Sequence, residues 1–389
     1  MSEPLSLQYK NAEEELRAIK LSLLLLEEEK QQLLQRQNKL NNLKAQDNSA
    51  VHSLRADQKV QLFQSLFQGR TDIFANRWQN SQGRSGYSVA CHNEWVSGKC
   101  YKPKVKCSEC SQQRYKILDE QVIYEHLSGK KVAGLYPLLE NNRCHLLAAD
   151  FDKTDWQAAI RAMAQACTEF NIPYAIEISR SGKGAHLWIF FTEAVLAKDA
   201  RALGFGLLDK AMEIHPNISF ESYDRLFPNQ DTLPEGGFGN LIALPLQQQA
   251  RQNGNSLFVD EQLEPYADQW AFLSQLERVS ELQLQNIIQG IAPNNQTTID
   301  EIKPWEQGAV ILPVAIKNCP EVVRITLANH LYIKLDALPS VLIARLKRLA
   351  SFSNPVFFKT QALRFSTHGI PRYISCARIE QDYLSLPRG

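Results

Sequence analysis

The chain has 389 residues, 44% of them apolar and 22% charged, which is enough for a large buried core and two or three folded units and excludes global disorder. With 43 Lys and Arg against 42 Asp and Glu, the net charge of +1 provides no overall field toward nucleic acid or membrane, so any basic footprint is local. No secretory leader pattern opens the sequence, and its most apolar run, Leu21 to Leu26, is flanked by Glu27, Glu28 and Glu29 and falls short of the roughly 20 residues a spanning helix needs. The expectation is a soluble cytoplasmic protein whose eight cysteines are reduced or metal-bound.

From Ala12 to Leu43 there is no Gly or Pro, and Leu16, Ile19, Leu23, Leu26, Leu33 and Leu40 recur in steps of three or four and their heptad multiples. That spacing predicts a coiled-coil helix over residues 1–47, with Lys30 and Gln37 at inner positions that set register or partner number. A polar linker, Lys44 to Ser53, follows, and a helical pattern resumes over Gln58 to Gln68. The segment from Arg77 to Leu118 carries eight basic residues against Glu94 and Glu109, with Trp78, Tyr87, Trp95, Tyr101 and Tyr115 interleaved. Cations neutralise phosphates and aromatic faces stack on bases, so this composition suits a single strand; a small metal module using the aromatics as its own core explains it equally well. Lys102, Lys104, Lys106 and Arg114 are the candidate strand contacts.

Residues 54–118 therefore read as a helical lead-in and a basic, aromatic cysteine module, residues 119–300 as a catalytic core and residues 301–389 as a C-terminal module. In the core, Leu146 to Phe151 and Leu187 to Phe191 read as buried strands, and Trp156 to Phe170 and Asp199 to Ile214 as helices, an α/β or α+β arrangement. Helical stretches are also expected near Gln269 to Ile288 and Leu338 to Phe352.

Four groups of residues carry chemistry. Cys91, Cys100, Cys107 and Cys110 are separated by eight, six and two residues; the closing Cys-x-x-Cys presents two thiolates from one turn, and four thiolates suit a structural Zn²⁺. His92 and His145 are substitute ligands, and Cys144, Cys167, Cys319 and Cys376 read as packing residues. Asp150 and Asp152 share one face of a strand while Phe151 turns to the other, and two such carboxylates suit Mg²⁺ or Mn²⁺. Ser179 to His186 form a glycine-bearing turn entering a strand, with Ser181, Lys183 and His186 suited to phosphate oxygens. The Gly-Lys pair is followed by Gly, so the turn is not a P-loop. Asp224, with Asp231 as its alternative, is the candidate third acid.

In this order, Asp-x-Asp on a strand, Ser-x-x-x-x-His entering a strand and an aromatic-Asp motif, the chain resembles the archaeo-eukaryotic primase superfamily. With Phe67-Gln68-Gly69-Arg70, the four cysteines, Ala148 to Asp152, Ser179 to Gly182, Tyr223 to Asp231 and Gly239 to Leu246, it is similar to the primase domain of TOTE conflict systems over about half its length. The resemblance implies an α+β fold: an RRM-like sheet and a small N-terminal α/β half, joined here by a zinc-binding insertion, an N-terminal coiled coil and a small C-terminal module. It assigns Asp150, Asp152 and Asp224 to two catalytic ions and Ser181, His186 and Lys183 to an incoming nucleoside triphosphate. Implied partners are a single-stranded DNA or RNA template, nucleoside triphosphates and a helicase in trans, with self-association through the coiled coil and no membrane. The tail from Asn354 to Gly389 resembles the approach to a superfamily 2 helicase, but no Gly-Lys-Thr or Asp-Glu-x-His motif follows. Nucleotidyl transfer in a defence, replication or repair setting is the expected activity. A metal-dependent nuclease and a non-catalytic coiled-coil adaptor are the competing readings.

Overall fold

The computed structural model describes residue 36 and residues 54–152, 155–216, 218, 225–291, 316, 318–336, 338–363 and 370–388. The coiled coil expected over 1–47 (apart from Arg36), Asp224 and the Arg364-Phe365-Ser366-Thr367 stretch lie outside the described residues. Residues 56–389 form one unit, divided from Met1–Arg55. No described helix is long and apolar enough to cross a membrane.

Helix α1 (Ala56–Leu66) buries Val60, Phe63 and Leu66, a stripe at three-residue steps. Strands β1 (Ala75–Gln79) and β2 (Ser85–Val89) form an antiparallel hairpin that pairs Arg77 with Tyr87. The cysteine segment that follows holds one three-residue 3₁₀ turn, Cys107–Glu109. Asp119 then starts α2 (Glu120–Leu127) by accepting the Val122 N–H at 2.8 Å, as an N-cap side chain does. β3 (Ala133–Leu135) pairs with β1, and the long β4 (Arg143–Phe151) leads to α3 (Trp156–Glu169). β5 (Ala175–Ile178), β6 (Ala185–Leu196) and α4 (Ala197–Ile214) follow. Short elements close this part: β7 (Leu226–Phe227), β8 (Ile242–Ala243), α5 (Gln248–Gln252), β9 (Phe258–Val259), α6 (Gln269–Ser274) and α7 (Glu281–Ile291).

Two antiparallel sheets result, an N-terminal one in the order β2-β1-β3-β8 and a central one in the order β7-β4-β6-β5-β9. The alternation of strand side chains divides the central sheet between two cores. Leu147, Ala149, Phe151, Leu187, Ile189 and Phe191 face α3 and α4. Leu146, Ala148, Trp188, Phe190 and Ala175 face the other way, into a core shared with α1, α2, β3 and β8. Helices packed on antiparallel sheets make this an α+β chain, as the sequence predicts.

The C-terminal residues form β10 (Ile325–Leu327), β11 (Leu331–Lys334), α8 (Ser340–Leu349), β12 (Ser351–Ser353), α9 (Pro355–Ala362), β13 (Tyr373–Ser375), β14 (Arg378–Glu380) and β15 (Tyr383–Leu386). A sheet ordered β10-β11-β15-β14 closes over Ile333, Leu384 and Leu386, and β12 pairs with β13. Two expected helices are interrupted. Between α6 and α7, Val279 donates to the Phe190 carbonyl at 2.8 Å and accepts from Thr192 N–H at 3.1 Å. This bridge to β6 satisfies backbone groups that a continuous helix would have paired internally. The expected helix over Leu338 to Phe352 ends at Leu349, because Ser351 to Ser353 pair with Tyr373 to Ser375.

Candidate active site

Strand pairing sets the site. On β4 and β6, Asp150 pairs with His186, and on β5 and β6, Glu177 pairs with His186, so three side chains form one row across the central sheet. The row continues the face that carries Ala148, Trp188 and Ala175, at the edge of the core shared with the N-terminal sheet. His186 Nδ1 donates to Glu177 Oε2 at 2.5 Å, which turns Nε2 toward Asp150, 3.7 Å from Oδ1. Glu177 is 2% exposed and also accepts from Trp188 Nε1 and Ser256 Oγ, both at 3.3 Å, so the buried carboxylate is fully engaged. Burial disfavours a charged His186, but Glu177, then Asp150 and Asp152, outweigh it and the net pKa rises.

Asp152 stands one residue beyond β4. Arg225 Nη1 donates to Asp150 Oδ2 at 3.2 Å and to Asp152 Oδ2 at 2.6 Å, so one guanidinium bridges both acids. Two carboxylates gathered on one cation form a hard-oxygen donor pair of the kind Mg²⁺ and Mn²⁺ select, but among the described residues no third His, Cys, Asp or Glu stands close enough to complete a metal site. Gly184 lets the neighbouring turn close on this strand end, since a Cβ there would lie 2.5 Å from the Phe151 carbonyl oxygen. On that turn, Ser181 Oγ sits 3.1 Å from Ser179 Oγ and accepts the Lys183 N–H at 3.2 Å, and the Lys183 side chain is exposed. The structure thus brings Asp150, Asp152 and His186 together, with Ser181 and Lys183 on the adjoining turn.

Asp231 has a different partner: Arg201, 1% exposed, donates from Nε to Asp231 Oδ1 at 2.8 Å and from Nη1 to the Pro228 carbonyl at 3.2 Å. This ion pair ties the segment after β7 to α4.

Glu177 and Arg225 were not singled out from sequence. Pairing the two strands on either side of the Ser179 to Gly184 turn would have set Glu177 opposite His186. Arg225 follows an acid, Asp224, and nothing in its sequence setting distinguishes it from a solvated surface arginine.

The four thiols of Cys91, Cys100, Cys107 and Cys110 line one pocket, with the Asn93 and Arg114 N–H groups each donating to Cys91 Sγ at 3.4 Å. Their environments differ: backbone N–H groups lower the Cys100 pKa, whereas burial raises that of Cys107 against the pull of Lys102. Thiol donors surround the pocket, but among the described residues no three His, Cys, Asp or Glu side chains are gathered closely enough to hold a metal. The substitutes lie elsewhere: His92 does not line this pocket, and His145 lines a separate one on α1. Lys102, expected on a strand-binding surface, bonds Glu94 at 2.8 Å and lies over Trp95; Lys106 pairs with Glu109 at 3.4 Å. Lys104 and Arg114 are exposed, and the same segment exposes Trp95 at 70% and Tyr101 at 54%.

Residues 58–287, more than half of the chain, match the family described as TOTE conflict system, Archaeo-Eukaryotic Primase domain. Among solved structures, the chain is similar to the polymerase domain from Mycobacterium tuberculosis Ligase D in complex with DNA, at 13% identity, covering 61% of this chain and 86% of that one, with a TM-score of 0.32. No curated protein matches.

Proposed function

The chain belongs to the archaeo-eukaryotic primase domain family of TOTE conflict systems, and on that premise we propose that it is a template-directed primase-polymerase. In the proposed reaction a 3′-hydroxyl attacks the α-phosphate of a nucleoside triphosphate, the new phosphodiester forms and pyrophosphate leaves. The observation that supports this best is the row of Asp150, His186 and Glu177 with Asp152 beside it, four groups drawn from three strands and a strand end to one place. Two Mg²⁺ or Mn²⁺ ions held by Asp150, Asp152 and Asp224 would lower the pKa of the attacking hydroxyl and stabilise charge on the leaving oxygens.

The chain's own groups supply position. Glu177 fixes the His186 ring, so Nε2–H is presented on the side of the acids, where a phosphate oxygen can accept it. Ser181 and Lys183, on a turn that Gly184 packs against the end of β4, would hold the triphosphate and orient it for in-line displacement. The exposed Trp95, Tyr101, Lys104 and Arg114 of the cysteine segment suit a single-stranded template. Zinc at Cys91, Cys100, Cys107 and Cys110 belongs to the proposal because four thiols line one pocket, and it would require them to close in beyond their present spacing.

Purified chain, first assayed for zinc, is incubated with a single-stranded template, labelled nucleotides and Mg²⁺ or Mn²⁺. Extension is expected, falling to background in the Asp150→Ala, Asp152→Ala double variant. Template shortening instead would make the protein a nuclease, and neither product would leave a binding adaptor. About one zinc per chain is expected; none would remove the metal from the cysteine pocket.

A further inference from the structure

A second set of groups near the same edge is unused by this reading. Arg77 on β1 and Tyr87 on β2 are directly paired, so their side chains leave the same face of the hairpin. Arg180 sits on the turn between β5 and β6. Its carbonyl accepts from Asn255 Nδ2 at 3.3 Å, and the same amide packs on Gly182, where φ is +71° and a Cβ would lie 2.5 Å from Asn255 Oδ1. The turn is therefore held, and Arg180 with it.

The Arg180 Nε is buried with no hydrogen-bond acceptor, and among the described residues neither Arg180 nor Arg77 has a carboxylate partner. Among the described residues the Arg77 side chain donates only to the Gln79 side-chain amide oxygen, at 3.3 Å. Burial, then the charge of Arg77, lowers the Arg180 pKa, and the partly buried Tyr87 lies within the field of both guanidinium groups. Glu177, the carboxylate that also acts on Tyr87, is taken up by His186, Trp188 and Ser256. A half-buried guanidinium whose buried Nε has no acceptor is costly, and a second cation nearby raises that cost, which an anion reverses. Two planar forks beside a hydroxyl match the oxygens of a phosphate.

We propose that Arg77, Arg180 and Tyr87 form a phosphate-binding site where the N-terminal and central sheets meet, taking the phosphates of a nucleoside triphosphate or of a nucleic-acid strand. The proposal rests on the nucleotidyl-transfer reading for why such a group enters here, and its test is binding alone. Affinities of the full chain for inorganic tripolyphosphate and for a single-stranded oligonucleotide are measured, with Arg180→Gln, Arg77→Gln and Arg180→Lys. Each Gln variant is expected to weaken at least one probe by about tenfold, with Arg180→Lys retaining part of the affinity and thermal unfolding unchanged. A loss confined to tripolyphosphate assigns the site to the triphosphate tail, and one confined to the oligonucleotide assigns it to the strand. Unchanged affinity for both probes overturns the site. Should Arg180→Gln fail to fold, Arg77→Gln on the half-exposed β1 decides alone. A wild-type chain that extends nothing yet loses tripolyphosphate binding in these variants would reject the polymerase reading and keep the site.

Discussion

Gly184 shows how closely the site is fitted. An added methyl group would meet the Phe151 carbonyl oxygen at 2.5 Å and Asp152 Cα at 3.1 Å, both backbone atoms with no side-chain freedom to yield. Gly184→Ala must therefore shift either the turn or the end of β4, moving Asp152 relative to His186. Extension is expected to fall by about ten- to a hundredfold, the loss an ångström-scale misplacement gives, while stability drops by about 1 to 3 kcal/mol. Full activity in this variant, measured at saturating nucleotide, would show that the geometry of the strand end does not matter. The closeness of Asp150, Asp152 and His186 was legible because the two acids stand two residues apart at the end of one strand and the histidine at the start of another. Glu177 was not: a single acid in Ala-Ile-Glu-Ile reads as a solvent-facing residue until the pairing with His186 buries it.

Single elements are held by polar groups that hydrophobic patterning does not register. On α2, His126 is fully buried; Nδ1 accepts the Ala133 N–H at 3.1 Å and Nε2–H donates to the Pro245 carbonyl at 2.9 Å, tying the helix to β3 and to the residues after β8. The bond from Ala133 needs the neutral ring, because a protonated Nδ1 cannot accept. Burial, only partly opposed by the Pro245 bond, pushes the His126 pKa down to about 4 from its ordinary 6.5. Between those values the unfolded chain binds the proton and the folded chain does not, so stability rises with pH across that window. The contribution is complete above about 6.5 and is lost as pH falls toward 4, amounting to about 3 kcal/mol. Urea unfolding at pH 7 and 4.5 should show a smaller pH dependence in His126→Gln than in the wild type; equal dependence would remove His126 as the source. The same limit explains the interrupted helices. Apolar periodicity over Gln269 to Ile288 cannot reveal that Val279 pairs with β6, because that contact depends on a strand some ninety residues away in the chain.

Taken as a whole, the molecule has a net charge of +1, so attraction to a strand must come from where unpaired cations lie. The sequence placed a local excess of positive charge between Arg77 and Leu118 but could not say which cations are free. Side-chain geometry divides them. Lys102 is fixed to Glu94 beside the cysteine pocket and its charge is largely spent there, whereas Lys104 and Arg114 are exposed, in the segment that also exposes Trp95 and Tyr101. The Lys104→Glu, Arg114→Glu double variant should therefore weaken oligonucleotide binding. It should also reduce the slope of log affinity against log salt by about one for each phosphate contact removed. Lys102→Glu acts differently, setting two acids against each other at a partly buried position, so its main effect is expected on thermal unfolding of the chain. Binding and salt slope measured together separate the two cases. A double variant with the wild-type slope would move the strand away from the cysteine module, leaving the arginines where the two sheets meet as the cationic surface that a template can use.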